Sequence, residues 1–108
     1  MSYFGKTNLV MVGMPGAGKS TVGVLLAKDM SMNFLDVDVF IQGHEGRRLQ
    51  DIIDNDGIDV FKELEEKYLK DINVNNFIVS TGGSAIYCKE GINHLKETGV
   101  IIYLSINL

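Results

Sequence analysis

The residues with the clearest chemical meaning are a run of glycines followed by a lysine and a serine. Positions 13–20 read Gly-Met-Pro-Gly-Ala-Gly-Lys-Ser and match the pattern G-x-x-x-x-G-K-S/T. The glycines let the backbone curl so that several N–H groups can point at one polyphosphate. Lys19 adds a positive charge for the outer phosphates, and the Ser20 hydroxyl can ligate the Mg²⁺ that accompanies them. The pattern therefore predicts a nucleotide-binding phosphate loop, or P-loop.

The segments on either side of the loop support this interpretation. Residues 8–12 form the short apolar run expected of a buried parallel strand, and apolar residues recur at helical spacing through residues 19–30. Such a helix would present its positive amino-terminal end to the phosphates. A glycine-rich turn with an incidental lysine would not explain strand, loop and helix in that order. The predicted nucleotide-binding residues are Gly16, Ala17, Gly18, Lys19, Ser20 and Thr21.

Two aspartates follow the second predicted strand, which covers residues 32–36. Alternation along an extended segment would place the carboxylates of Asp36 and Asp38 on the same side. In open α/β sheets the ligand lies beyond the carboxyl ends of the strands, so these acids suggest handling of Mg²⁺ and of a hydroxyl group. One of them, Asp38 in particular, could instead cap the next helix. We expect both roles together.

The rest of the chain predicts further helices and strands in alternation. The helices are expected from residue 40 with interruptions at Gly43 and Gly46, around 49–53, and over 58–72 and 89–98, and the strands at 77–81 and 100–104. Most charges of helix 58–72, Glu65 among them, are expected to be solvated, and Gly99 reads as a helix C-cap. This order predicts an α/β fold with a parallel sheet and helices on both faces.

A pair of glycines, Gly82 and Gly83, directly follows the third predicted strand. Adjacent glycines at the carboxyl end of a strand permit a substrate to approach the backbone closely. They are equally suited to a simple tight turn. The sequence does not distinguish these two interpretations.

The overall composition limits the class of protein. The length of 108 residues allows one domain, and the formal net charge of −4 argues against a broad nucleic-acid or membrane-surface footprint. The single cysteine, Cys88, excludes an internal disulfide and is expected to be a small buried hydrophobe. Neither an apolar run of about 18 residues nor a signal peptide is visible, so we expect a cytoplasmic location without membrane partners.

Taken together, these motifs resemble the shikimate kinase family, within the nucleoside-monophosphate-kinase-like P-loop fold. The similarity runs from the first strand to Leu104. Its markers are the loop at 13–21, Phe34-Leu35-Asp36-Val37-Asp38, Gly46-Arg47, Gly57 with Phe61-Lys62 and Glu65, and Thr81-Gly82-Gly83. The combination is considerably more specific than the loop alone. It implies a P-loop NTPase-type, three-layer α/β fold.

The resemblance implies a kinase that transfers the γ-phosphate of ATP to the 3-hydroxyl of shikimate, in aromatic amino acid biosynthesis. ATP would be the co-substrate and Mg²⁺ the cofactor. Lys19 would contact the transferring phosphoryl group. Ser20 would ligate Mg²⁺, with Asp36 helping through water.

On the acceptor side, the resemblance assigns Asp38 to the shikimate hydroxyls and to assisting the attacking one. Lys62 takes the place of an arginine that grips the substrate carboxylate, oriented by Glu65. Gly82 and Gly83 would offer backbone groups to the substrate ring.

Three positions near the acceptor depart from the family pattern. Lys62 replaces the usual arginine, so a planar two-pronged grip becomes a single point charge. Ser84 stands where a third glycine is usual, and Ile58 stands where an acid commonly follows Gly57. These departures favour, as an alternative, a P-loop kinase for another small hydroxylated metabolite.

Members of the family continue with an arginine-bearing lid, a fifth strand and a closing helix. The resemblance therefore implies that residues 1–108 are a single, incomplete P-loop kinase domain, either a fragment or a natural short form. A catalytically inactive, truncated nucleotide-binding relative is a further alternative. The family is expected to be monomeric, but an apolar edge strand at 100–104 would favour self-association.

Overall fold

The computed structural model describes residues 7–13 and 19–104, without the side chains of Lys19, Ser20 and Leu104. These residues form an alternating series of strands and helices. In chain order the elements are β1 (Asn8–Gly13), α1 (Lys19–Met30), β2 (Asn33–Asp36), α2 (Val37–Glu45), α3 (Leu49–Asp56), α4 (Ile58–Asp71), β3 (Phe77–Ser80), a single 3-10 turn (Ala85–Tyr87), α5 (Lys89–Lys96) and β4 (Gly99–Leu104).

The four strands form one parallel sheet in the order β2-β3-β1-β4. Ser80 is in register with both Met11 and Asp36, so β1, β2 and β3 end at nearly the same level. Parallel strands need a crossover to return the chain, which is why helices separate them. The predicted parallel α/β architecture is therefore confirmed.

Alternation along β1 divides the core between the two faces of the sheet. Val10 and Val12 pack in the larger cluster, to which α2, α3, α4 and α5 contribute their buried side chains. Met11 packs in the smaller cluster with Ala27 of α1 and Ile78 of β3. Helices thus cover both faces, as the sequence predicts. In the two stretches that the structure describes, no helix has the length and apolar character needed to cross a bilayer.

The segment around the two aspartates differs from the sequence-based expectation. The prediction of an extended Asp36-Val37-Asp38 was wrong, because β2 ends at Asp36 and Asp38 already lies in the first turn of α2. Asp36, not Asp38, is the N-cap, and its Oδ1 accepts a hydrogen bond from the Val39 N–H at 3.2 Å. This bond satisfies an otherwise unpaired backbone donor and lets the helix start immediately after the strand.

The predicted roles of Gly43, as a helix interruption, and of Gly99, as a helix C-cap, were also wrong. Gly43 lies inside α2 and does not interrupt it, whereas the helix ends at Glu45 with Gly46 as its C-cap. Gly99 is the first residue of β4 and not a C-cap, since α5 ends at Lys96. A Cβ on Gly99 would lie 2.9 Å from the Leu95 carbonyl oxygen and 2.9 Å from Cγ2 of Val10. Close packing of the strand therefore accounts for this glycine.

Candidate active site

The carboxyl ends of the central strands meet at one edge of the sheet. Two hydrogen bonds join the segment after β3 to β1 there. The backbone N–H and the hydroxyl of Thr81 both donate to the carbonyl oxygen of Met11, at 3.1 and 2.8 Å. Gly82 is consequently held beside the end of β1, and α2 starts from the neighbouring strand β2. This is the edge at which open α/β sheets bind their ligands.

A cleft of about 470 Å³ opens at this edge. Its polar side is formed by Asp38, Glu65, Gly82, Gly83 and Ser84. Its apolar side is formed by Leu49, Ile53, Ile58, Phe61, Ile86 and Tyr87. A volume of this size, with apolar walls and a few convergent polar groups, is typical of sites for small molecules.

Two carboxylates from different helices converge beside Gly82. A Cβ on this glycine would lie 2.8 Å from Oδ1 of Asp38 and 3.2 Å from Oε2 of Glu65. Among the described glycines, a positive φ occurs only at Gly46 and Gly57, so backbone conformation does not require a glycine at position 82. The approach of the two acids leaves little room for a side chain at Gly82. The two interpretations open from the sequence, approach of a substrate and a tight turn, did not include this contact.

Glu65 is fully buried, which corrects the expectation that it is a solvated surface charge. Its position follows from helical periodicity, because it lies one turn from both Phe61 and Leu69 on the buried face of α4. Its Oε1 accepts a hydrogen bond from the Ser84 hydroxyl at 2.7 Å and from the Cys88 thiol at 3.6 Å. Its Oε2, which faces Gly82, has no hydrogen-bond partner among the described residues.

Burial raises the pKa of Glu65 above its ordinary value, because the charged form loses its hydration. The hydrogen bonds from Ser84 and Cys88 oppose this shift by stabilising the carboxylate, whereas the nearby charges of Asp38 and Glu66 add to it. A buried carboxylate with one unpaired oxygen costs stability. Such a group is typical of a site where a ligand supplies the missing donor.

Cys88 is buried, as predicted, and acts as a weak donor. Burial, together with the charges of Glu65 and Glu66, raises the pKa of its thiol to about 12. A thiol with this pKa is not a nucleophile near neutral pH. Cys88 therefore serves as a buried hydrogen-bond donor to the Glu65 carboxylate.

The predicted acceptor residues are partly brought together. Asp38, Gly82 and Gly83 all line the cleft. Lys62 lies on α4 with an exposed side chain and is not part of the cleft lining. No ion pair joins Lys62 to Glu65 in the described part of the chain, whereas the resemblance implies that Glu65 orients this lysine. Glu65 is turned instead to Ser84 and Cys88.

Most of the predicted phosphate site lies outside the described residues. Gly16, Ala17 and Gly18 fall in the stretch 14–18, which the structure does not describe. Lys19 and Ser20 are the first two residues of α1, and Thr21 follows with an exposed side chain. β1 ends at Gly13 and α1 begins at Lys19, in agreement with the predicted order of strand, loop and helix.

Asp36, the other predicted metal-site residue, is half-buried at the end of β2, and its Oδ1 holds the start of α2. Residues 7–13 and 19–104 contain no cluster of three acidic, histidine or cysteine side chains arranged to hold a metal ion. Nucleotide-bound Mg²⁺ is usually held by one or two protein oxygens together with phosphates and water. A hydroxyl and a carboxylate would suit that smaller set of ligands.

Two features of the site escaped the sequence-based analysis. The first is the apolar wall, whose residues come from α3, α4 and the 3-10 turn and meet only in the folded chain. The second is the contact between Ser84 and Glu65, which are 19 positions apart. A signal for this contact was present, because Glu65 shares the spacing of the buried face of α4 and Ser84 departs from a run of glycines.

Comparison with known proteins gives a consistent result. The sequence model described as shikimate kinase matches residues 15–108. A shikimate kinase of Sulfurihydrogenibium sp. is 38% identical over 102 residues, covering 94% of this chain and 61% of the relative. One of Mannheimia succiniciproducens is 43% identical over 100 residues, covering 92% and 57%. The chain thus spans about three fifths of the length of the curated relatives that it matches.

Solved structures lead to the same family. The crystal structure of shikimate kinase from Aquifex aeolicus superposes with a TM-score of 0.84 at 33% identity, covering 94% of this chain and 61% of that one. Shikimate kinase from Acinetobacter baumannii in complex with shikimate gives a TM-score of 0.88 at 32% identity, covering 94% and 57%.

Proposed function

This chain belongs to the shikimate kinase family, and we propose from that membership that it is an ATP-dependent kinase of shikimate. It would transfer the γ-phosphoryl group of ATP to the 3-hydroxyl group of shikimate, a step of aromatic amino acid biosynthesis. The observation that carries the proposal is the meeting of Asp38 and Gly82 at the polar end of the cleft, on the edge of the sheet from which α1 also starts.

On the phosphate side, Lys19 would contact the transferring phosphoryl group, and the backbone of Gly16, Ala17 and Gly18 would cradle the polyphosphate. Ser20 would hold Mg²⁺, with Asp36 contributing through a water molecule. A half-buried carboxylate whose Oδ1 already accepts from Val39 fits an indirect contact of this kind. The bound ion would neutralise charge on the phosphates during transfer.

On the acceptor side, Asp38 would accept a hydrogen bond from the attacking hydroxyl and orient it. The apolar wall would pack against the substrate ring and exclude water. Lys62 would reach the substrate carboxylate from the exposed surface of α4, with a single point charge. Phosphoryl transfer depends mainly on positioning and charge neutralisation, and these residues would supply both.

A second candidate is phosphoryl transfer to another small hydroxylated metabolite. Among the residues that the structure describes, the cleft lining contains no lysine or arginine. A carboxylate on the acceptor would therefore meet a cation only if Lys62 extends toward the cleft from the surface of α4, and an acceptor without a carboxylate avoids this requirement, which favours a neutral polyol. The catalytically inactive nucleotide-binding module remains the alternative from a different functional class.

Coupled ADP release tests these candidates directly. The purified chain is supplied with Mg-ATP, with and without millimolar shikimate, and shikimate is compared with gluconate, nucleoside monophosphates and a neutral polyol as acceptors. Turnover that saturates with shikimate is the expected result, and Lys19→Met should abolish it. Turnover with another acceptor only would replace shikimate as the substrate. If calorimetry detected ADP binding but no acceptor supported turnover, the result would support the catalytically inactive module.

A further inference from the structure

Ser84 makes an unusual use of its hydroxyl group. It stands at the N-cap of the 3-10 turn Ala85–Tyr87, a position where serine commonly accepts a hydrogen bond from a backbone N–H. Here its side chain makes no capping hydrogen bond. The hydroxyl donates instead to Oε1 of Glu65 on α4, at 2.7 Å. The contact thus joins the turn after β3 to the buried face of a helix.

This contact determines which Glu65 oxygen has no hydrogen-bond partner among the described residues. Ser84 and Cys88 both donate to Oε1, so the carboxylate plane is held with Oε2 beside Gly82 and Asp38. Oε2 is buried and has no hydrogen-bond partner among the described residues, and Glu65 is one of the residues that line the cleft. A buried oxygen of this kind can make a strong hydrogen bond to a ligand, because no competing donor has to be displaced.

We propose that Ser84 is a positioning residue of the acceptor site, which orients Glu65 so that Oε2 accepts a hydrogen bond from an acceptor hydroxyl next to the one held by Asp38. The inference rests on the proposed function, since it takes a polyhydroxy acceptor as the ligand. It assigns a role to a residue that departs from the glycine usual at this position. Glu65 binds the substrate directly, and Ser84 acts through Glu65.

The protonation of Glu65 supplies an independent consequence. The groups that face it are Asp38 from α2, Glu66 from α4, and the donors Ser84 and Cys88. Burial raises the pKa of Glu65, and the Ser84 hydrogen bond lowers it. Loss of the hydroxyl should therefore raise this pKa further. If shikimate binds well only when Glu65 is ionised, its affinity falls as the solution is acidified. In a variant without the Ser84 hydroxyl, this fall should begin at a higher pH.

The test is calorimetric titration of the chain with shikimate in the presence of Mg-ADP, for the unaltered chain, Ser84→Ala and Ser84→Thr. We expect Ser84→Ala to weaken shikimate binding about tenfold and Ser84→Thr to restore it to within about threefold, because threonine keeps the hydroxyl donor. ADP affinity should change less than about twofold, because Ser84 is not among the predicted nucleotide-binding residues. The pH at which shikimate affinity falls should move upward in Ser84→Ala and not in Ser84→Thr.

A double-mutant cycle separates positioning from a general structural effect. Glu65→Met removes both carboxylate oxygens at similar side-chain volume. If Ser84 acts through Glu65, adding Ser84→Ala in this background should change shikimate affinity less than about twofold. An equal loss in both backgrounds would overturn the inference, as would an unchanged affinity of Ser84→Ala in the otherwise unaltered chain. Failure of the unaltered chain to bind shikimate would overturn the proposed function itself, together with this inference.

Discussion

Oδ1 of Asp38 and Oε2 of Glu65 both approach the position that a Cβ on Gly82 would occupy, at 2.8 and 3.2 Å. The two acids come from α2 and α4, and the charge of Asp38 adds to the burial that raises the pKa of Glu65. Glu65 is held by Ser84, whereas Asp38 lies in the first turn of a helix that starts at the sheet edge. This pair is the polar centre of the cleft.

Asp38→Asn should lower shikimate-dependent turnover by at least about 100-fold, because an amide orients the hydroxyl but does not accept its proton. Asp59→Asn is a matched control, since Asp59 occupies the first turn of α4 and has an exposed side chain. Steady-state ADP release, with thermal unfolding to establish that both variants fold, provides the measurement. Equal activity of the two variants would remove Asp38 from the reaction.

Gly82→Ala should weaken acceptor binding and lower the free energy of unfolding by about 1–3 kcal/mol, because the new methyl group would overlap Oδ1 of Asp38 and crowd Oε2 of Glu65, so that both side chains would have to move. Gly43→Ala is the control. Gly43 lies within α2, where a Cβ would meet no atom within 4 Å, and alanine should stabilise the helix by about 0.5–1 kcal/mol. Urea unfolding of the two variants should thus shift in opposite directions. If Gly82→Ala left the free energy of unfolding unchanged, the two acids could separate without cost, contrary to this prediction.

Glu65→Gln should stabilise the chain at neutral and alkaline pH, at the expense of acceptor binding. The pKa of Glu65 is raised in the folded chain, mainly by burial, so its ionisation opposes folding. The cost of ionising Glu65 in the folded chain does not affect stability below the ordinary glutamate pKa of 4.5. It grows as the pH rises from there through the pKa of Glu65 in the folded chain. We expect the variant to gain about 1–3 kcal/mol in free energy of unfolding near pH 8.

The control for this prediction is the same pair of proteins in acid. At about pH 4 both Glu65 in the folded chain and its unfolded counterpart are largely protonated, so the difference between variant and parent should shrink toward zero. Denaturant unfolding across the pH range measures it. A stability difference that stays constant with pH would mean that packing, and not ionisation of Glu65, distinguishes glutamine from glutamate.

Strand β4 should favour pairing between copies of the chain. In the described sheet it pairs only with β1, and Tyr103 on it is 66% exposed. Unpaired edges with apolar side chains promote strand addition, and a lysine on the edge opposes it. Sedimentation velocity should therefore detect concentration-dependent association that Tyr103→Lys reduces. Met30→Lys, at an exposed apolar position on α1, should leave it unchanged. A chain that stays monomeric at every concentration would contradict this prediction.

Local patterns were sufficient for the framework of the molecule. Short apolar runs located the strands and period-3.6 spacing located the helices, because each pattern reflects which side chains an element buries against its neighbours. The alternation of strands and helices then determined a parallel sheet with helices on both faces. The P-loop pattern and Asp38 could be recognised as chemical candidates for the same reason, since their spacing is local.

The site itself depended on contacts between distant parts of the chain. Glu65 looked like a solvated charge until the packing of α4 buried it, and Asp36 took the capping role expected of Asp38. Only the tertiary structure brought Ser84 to Glu65, and only it explained Gly82 by the approach of two acids. The sequence by itself determined the elements and the phosphate motif, because these follow from near neighbours. The acceptor site was decided by the fold, because burial and hydrogen bonding depend on which elements pack together.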